Sequence, residues 1–226
     1  MSSLKTSLFL SCICISCVSA GIKLTGDVTA LSAYVFRGIQ QGRGPALQGT
    51  AAFSFGAVKS GLWLSNVNFS EDIETESDFF MEASVSSGGL ESTAGVMFYS
   101  YDGFRTFNAY ANHELEIYVK AAIGPAGLSL FHVPGQKSTD GDPSRSNFWM
   151  EMNLHSAFLE THLSATFGYG TYSSRYLAVP KKEGVSALTF SIEKTLAENV
   201  AVKYIYSKGL EKSIKDILYL SIAWSY

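Results

Sequence analysis

The sequence predicts an all-β fold, an antiparallel up-and-down transmembrane β-barrel of about twelve strands, and three observations predict it. Segments of about ten residues with alternating apolar and polar character recur roughly twelve times along the 226-residue chain. No stretch longer than about 15 residues holds a helical period. The connections between segments alternate between short and long, which is the layout of an outer-membrane barrel.

The first twenty residues, MSSLKTSLFLSCICISCVSA, carry Lys5 near the start, an apolar run from Leu8 to Val18 and a small-x-small ending at Val18-Ser19-Ala20. That is the pattern of a signal peptide over residues 1–20, with cleavage expected after Ala20 and residues 21–226 left as one domain. The apolar run is shorter than the ~20 residues a membrane-spanning helix requires. A lipoprotein signal ending at Cys17 fits less well, because Cys14 stands where such a signal carries leucine. Cys12, Cys14 and Cys17 all fall in this segment, so the mature chain is expected to have no disulfide, thiol nucleophile or cysteine metal site. Closing a sheet on itself, which removes its edges, is one way to hold such a domain together.

In order, the segments fall at residues 24–38, 45–57, 60–70, 77–87, 91–101, 106–121, 127–134, 145–156, 160–172, 184–195, 199–208 and 215–226. The top of the first reads YVFRG. Tyr34 and Phe36 are expected to face lipid near the outer interface, Arg37 the lumen, and Gly38 to let the strand bend or bulge. In the second, Gln48, Thr50, Ala52 and Ser54 oppose Leu47, Ala51, Phe53 and Phe55, so Gln48 points inward; Asn66 and Asn68 of the third are expected to line the same wall. In the eighth, Trp149, Glu151, Asn153 and His155 oppose Phe148, Met150, Met152 and Leu154. In the ninth, His162, Ser164, Thr166 and Gly168 oppose Leu163, Ala165, Phe167 and Tyr169. The eleventh sets Lys203 against Val200, Val202, Tyr204 and Tyr206. Placing Lys203 on lipid instead would cost roughly 2 to 4 kcal/mol at mid-bilayer, so the faces are assigned by energy. The last, ILYLSIAWSY, sets Leu218, Leu220, Ile222, Trp224 and Tyr226 against smaller or more polar residues. Alone, it would suit the last strand of a soluble sandwich equally well.

The connections decide between the two. Those after even-numbered segments hold the short turns AVKS, SSGGL, IGPAG, HSAFL and TLAEN. Those after odd-numbered segments are generally longer and more polar, among them IQQGRGP, SEDIETES, PGQKSTDGDPSRS and YSSRYLAVPKKEG. A meander with both termini on one side produces this alternation, and a soluble sandwich has no reason to. The slightly positive mean hydropathy agrees, since every second strand residue faces a polar lumen. So do the 13% aromatic residues, as tyrosine and tryptophan favour membrane interfaces.

The run YVFRGIQQ, the PALQG that opens the second segment and SGLWLSNVNF after the first short turn make residues 27–70 resemble the N-terminal signature of the TorF-like porins, the Gcw_chp family of proteobacterial proteins. Weaker similarity in strand and turn layout continues to the final aromatic residue. Ala33 stands where the family carries an acidic residue. The resemblance implies a twelve-stranded outer-membrane barrel with a channel function and no assigned substrate.

The expected lumen set is Arg37, Gln48, Asn66, Asn68, Asp78, Glu82, Glu114, Glu116, Lys120, Glu151, Asn153, His155, His162 and Lys203. Acids and bases facing one another across a lumen satisfy charges that would otherwise be buried unpaired. In a porin the same groups select solutes, and a mixture of signs predicts no strong ion preference. The leading function is passive diffusion of small polar solutes without a cofactor. The alternative is a structural or adhesive surface barrel with a closed, salt-bridged lumen and partner-binding loops, 134–146 and 171–184.

An outer-membrane enzyme comes third. No Gly-x-Ser-x-Gly elbow and no His-Glu-x-x-His is present, and His155 and Ser156 fall on opposite faces. His155 and His162 are expected to approach across their turn, near Glu151 and Ser164, but lack a third metal ligand at recognisable spacing. The loops at 137–143 and 70–78 read as solvated rather than as calcium sites, although the acidic 70–78 stretch suits ions that bridge lipopolysaccharide. Expected partners are outer-membrane lipid and lipopolysaccharide, a small-molecule solute, and the barrel assembly machinery, which reads an alternating last strand with a terminal aromatic: here Leu218, Leu220, Ile222, Trp224 and Tyr226. A net charge of −3 with no basic run gives no reason to expect nucleic acid.

Overall fold

Alternation of apolar and polar residues over the whole chain leaves each strand with one greasy and one polar face, and a sheet so built satisfies its edges by closing. A computed structural model describes residues 21–42, 44–70, 73–101, 113–134, 147–174, 179–210 and 215–226. Residues 1–20, where the signal peptide is expected, and the 137–143 loop lie outside the described residues. Among the described residues fourteen strands form: β1 (Lys23–Leu31), β2 (Val35–Phe36), β3 (Ile39–Gln40), β4 (Ala46–Phe55), β5 (Val58–Ser70), β6 (Ile73–Ser87), β7 (Leu90–Ser100), β8 (His113–Ile123), β9 (Ala126–Val133), β10 (Asn147–Phe158), β11 (Thr161–Ser174), β12 (Val179–Ala197), β13 (Val200–Gly209) and β14 (Ile217–Ser225). Twelve of them, β1 and β4 to β14, close into an antiparallel barrel in which β14 pairs with β1. The small hairpin β2–β3 is separate from that sheet.

At one end of the barrel every connection is a two-residue turn, at 56–57, 88–89, 124–125, 159–160 and 198–199. Gly56, Gly88, Gly124 and Leu159 open four of them at positive φ, as tight turns matched to the twist of antiparallel strands require. The opposite end carries the longer connections, with two corrections. The stretch 171–184 is not one long loop, because β11 runs to Ser174 and β12 starts at Val179. The stretch 70–78 is not a loop, because β5 and β6 continue their pairing to Ser70 and Ile73, and only residues 71–72 lie between the strands.

The outward face is apolar all round: Leu47, Phe53, Leu62, Phe79, Ile117, Leu128, Met152, Leu163, Phe190 and Ile222 are each more than 40% exposed. Its closing seam is made by Tyr226, whose backbone exchanges hydrogen bonds with Gly26 and whose ring covers Gly26 and lies 5.4 Å from Trp224.

The first strand is shorter than its sequence period suggests. Ser32 marks the departure point: its N–H donates to the Leu220 carbonyl at 2.9 Å and its hydroxyl accepts from the Leu220 N–H at 3.0 Å. The chain then leaves the wall, folds into the lumen, and returns at Ala46 to pair with β1.

Candidate functional site

The lumenal segment is built around a two-residue turn. Val35 and Phe36 pair with Gln40 and Ile39, and the Gln41 N–H donates to the Tyr34 carbonyl at 2.8 Å. Arg37 and Gly38, at φ +51° and +79°, form the turn; positive φ at both central residues is the requirement of a type I′ turn. Glycine is needed at 38 for a second reason, since a Cβ there would sit 2.4 Å from the Ala187 methyl of the facing wall. Arginine at positive φ is uncommon and is held here by what its side chain reaches.

The Arg37 guanidinium donates to Glu116 Oε2 at 2.6 Å, and the two side chains are 8% and 2% exposed. The other Glu116 oxygen accepts from the Tyr99 hydroxyl at 2.9 Å. The guanidinium also lies over the rings of Phe36, Phe131 and Trp149, 4.6, 4.8 and 5.7 Å from their centres. Phe36, Ile39 and Phe131 pack on Trp149, the most deeply buried large side chain. The Trp149 ring has room because β11 offers Gly168 beside it, where a Cβ would come within 2.3 Å of the ring; its indole N–H donates to Glu151 at 3.0 Å.

Two cavities flank this hairpin. One of about 370 Å3 is lined by residues of β4 to β8, including Trp63, Asp78, Glu82 and Lys120; one of about 220 Å3 lies by Arg37, Trp149, Glu151, Thr189 and Tyr219.

Most of the expected lumen set shares the inward face. Gln48, Asp78, Glu82, Glu114, Glu116, Lys120, Glu151, Asn153 and Lys203 fall on the inward parity of their strands. Several are paired there: Lys120 with Glu82 at 3.9 Å, Lys203 with Glu193 at 3.3 Å, and Asn153 with the Thr166 hydroxyl at 2.7 Å. His155 and His162 lie on the same face near the short-turn end as diagonal neighbours one rung apart: His155 opposes Ser164, and His162 opposes Ala157 and Glu193.

Asn66 is a correction. It shares the outward parity of Leu62 and Leu64, and its side chain reaches the Pro45 carbonyl and the Leu47 N–H, where β4 begins. The side chain of Asn68 lies outside the described residues. Tyr34 and Phe36 are a second correction. Both face the lumen rather than lipid, Tyr34 against Trp63 at 5.7 Å and Phe36 against Tyr99 at 6.2 Å. Sequence reasoning missed Glu76, a buried inward residue of β6 that accepts from Tyr34 and Tyr101, because residues 70–78 read as loop. It also missed the lumenal role of Trp63, Tyr99 and Tyr118, although strand parity places all three inward; Trp149 stands on the face of Glu151 as the alternation of its segment states.

The family model described as "Bacterial protein of unknown function (Gcw_chp)" matches residues 16–225. The chain belongs to the Gcw_chp family. No curated protein matches this Gcw_chp chain. Among solved structures, its fold is similar to that of a chain from work on in-meso crystallisation of membrane proteins, at 12% identity over 90% of this chain and 83% of that one, with a TM-score of 0.55. Looser matches are a loop-deletion variant of OmpT, an outer membrane protein of Vibrio cholerae (7% identity, 92% and 100% covered, TM-score 0.48), and Salmonella typhi OmpF in complex with daunomycin (7%, 92% and 98%, 0.43). At such identities the likeness is one of fold.

Proposed function

We propose that this Gcw_chp barrel is an outer-membrane channel of the TorF-like porin kind, passing small polar solutes by passive diffusion through a lumen narrowed by residues 32–45. The observation that carries this reading is the pair of cavities beside the hairpin, about 370 and 220 Å3, with polar and charged side chains on their walls. A barrel built only as a strut would fill that space with side chains. The apolar outward face and the alternation of short turns and longer connections support a bilayer location with the short turns on the periplasmic side. Acids and bases mix along the lumen, which supports weak ion selectivity.

The buried contact between Arg37 and Glu116 favours a second reading, a surface barrel whose hairpin holds the lumen shut. Liposome swelling separates the two. Reconstituted protein should admit glycine and small sugars and exclude larger oligosaccharides, whereas liposomes that swell no faster than protein-free controls would favour the closed barrel. Catalysis has no part in this proposal, nor has a cofactor. Turnover of phospholipid or peptide that disappears in His155→Ala or His162→Ala would overturn that.

The barrel assembly machinery is the partner proposed for the terminal strand, through Leu218, Leu220, Ile222, Trp224 and Tyr226. Lipid and lipopolysaccharide are proposed to surround the wall.

A further inference from the structure

The larger cavity has its charges sorted along the barrel axis. Toward the short-turn end, each acid or ring already has a cation. Lys120 lies 4.5 Å from the centre of the Tyr118 ring and 3.9 Å from Glu82, which also accepts from the Tyr118 hydroxyl at 2.8 Å. Lys59 lies 5.7 Å from the centre of the Phe80 ring. Farther up β6, Asp78 stands in register between Trp63 of β5 and Tyr99 of β7, is 3% exposed, and lines the same cavity. It accepts from the Ser100 backbone, yet its Oδ1 has no hydrogen-bond partner among the described residues. Arg37, the cation of the hairpin, is committed to Glu116.

A buried carboxylate oxygen without a donor is costly, and a charged N–H donor is its strongest complement. Aromatic rings around that point attract a cation further through their faces. At about 370 Å3 the cavity lies within the size range of small-molecule sites. We propose that it binds a small primary organic ammonium ion, whose nitrogen donates to Asp78 Oδ1 and whose hydrocarbon part lies against Tyr34, Trp63 and Phe80. Lys59 and Lys120 make the opposite end hostile to a second positive charge. The inference deepens the channel reading by naming a solute class for the same lumen, but binding does not require conduction.

The test titrates the folded chain, in detergent micelles, with benzylammonium chloride, followed by calorimetry and tryptophan fluorescence. Saturable binding of benzylammonium is expected. Benzyl alcohol, which lacks the charge, and benzyltrimethylammonium, which lacks the N–H donor, should bind at least tenfold more weakly, and benzoate should not bind. Asp78→Asn should weaken benzylammonium at least tenfold while Lys194→Gln, on the outward parity of β12, leaves it unchanged. Trp63→Phe should remove most of the fluorescence response while calorimetry still reports a complex. If Asp78→Asn fails to show the heat-modifiable migration of a folded barrel, the ligand series on the parent chain decides. Equal binding of benzoate or benzyl alcohol, an unchanged affinity in a folded Asp78→Asn barrel, or no saturable heat would each overturn the proposal. Conductance measured on the same preparation keeps the two readings apart: a conducting barrel that does not bind benzylammonium loses this inference alone, and a binding barrel that does not conduct loses only the channel.

Discussion

Replacing Arg37 with methionine should release the lumenal hairpin while leaving the barrel wall intact. The guanidinium makes a 2.6 Å charge-assisted bond to Glu116, and both groups are nearly excluded from solvent. Without it, Glu116 keeps the Tyr99 hydroxyl at 2.9 Å but loses its counter-charge. Breaking one side of a buried pair costs about 3 to 5 kcal/mol. At about 1.4 kcal/mol per tenfold, that raises the undocked fraction of the hairpin on the order of a hundredfold to a few thousandfold. The three cysteines all lie in residues 1–20, so a chain expressed from residue 21 has no thiol, and Ile39→Cys introduces one that packs on Trp149 when the hairpin is docked. The rate of its modification by a membrane-impermeant maleimide then reports undocking. Arg37→Met should raise that rate by one hundredfold or more, on the order given by the lost pair. The double variant Arg37→Met, Glu116→Gln should raise it less than Arg37→Met alone, because no bare buried charge remains. A rate within about threefold of the parent, less than 1 kcal/mol, would refute the assignment of this pair as the hairpin's anchor.

Gly38→Ala should also loosen the hairpin, from positive φ and from contact with the Ala187 methyl; adding Ala187→Gly should recover the steric part only, read by the same maleimide rate. Deleting Tyr226 should lower the yield of heat-modifiable barrel in the outer membrane more than it alters solute uptake by the fraction that assembles, and normal assembly would count against its role as a recognition residue. Gly26→Ala should weaken closure by displacing the Tyr226 ring, seen as a lower temperature for loss of the folded gel species. Lys203→Gln should change stability by no more than about 0.5 kcal/mol in urea unfolding, because its pair with Glu193 is about a third exposed at each end.

The wall of the barrel was legible because strand parity survives everywhere a strand is long. Lys203, Glu151 and Gln48 stand inward for the reason the alternation states. The first strand misled because the alternation of β1 runs on in the sequence through Val35 and Phe36: nothing before Arg37 breaks the period, and a bend into the lumen leaves no mark on alternation. A signal did exist. Arg-Gly between Val-Phe and Ile-Gln is a two-residue turn between β-forming pairs, and reading it as a hairpin rather than as a bulge at a strand top would have placed Phe36 inside. Asn66 misled in the opposite sense. Its polarity suggested the lumen although it shares parity with Leu62 and Leu64, and its amide is satisfied by backbone groups of Pro45 and Leu47 that no local pattern reveals. The aromatic lining was hidden because large rings are counted as lipid-facing by default. Gly168 beside Trp149 and Gly95 beside Tyr118 are the places where the neighbouring, hydrogen-bonded strand makes room for them.

In the proposed channel, residues 32–45 set the width of an open lumen. Single-channel conductance in planar bilayers, compared between the parent chain and a variant in which residues 33–43 are replaced by a short glycine-serine turn, tests it most directly. Small resolved steps for the parent and several-fold larger steps for the variant are predicted. Equal steps from both, or silence from both folded barrels, would contradict the account.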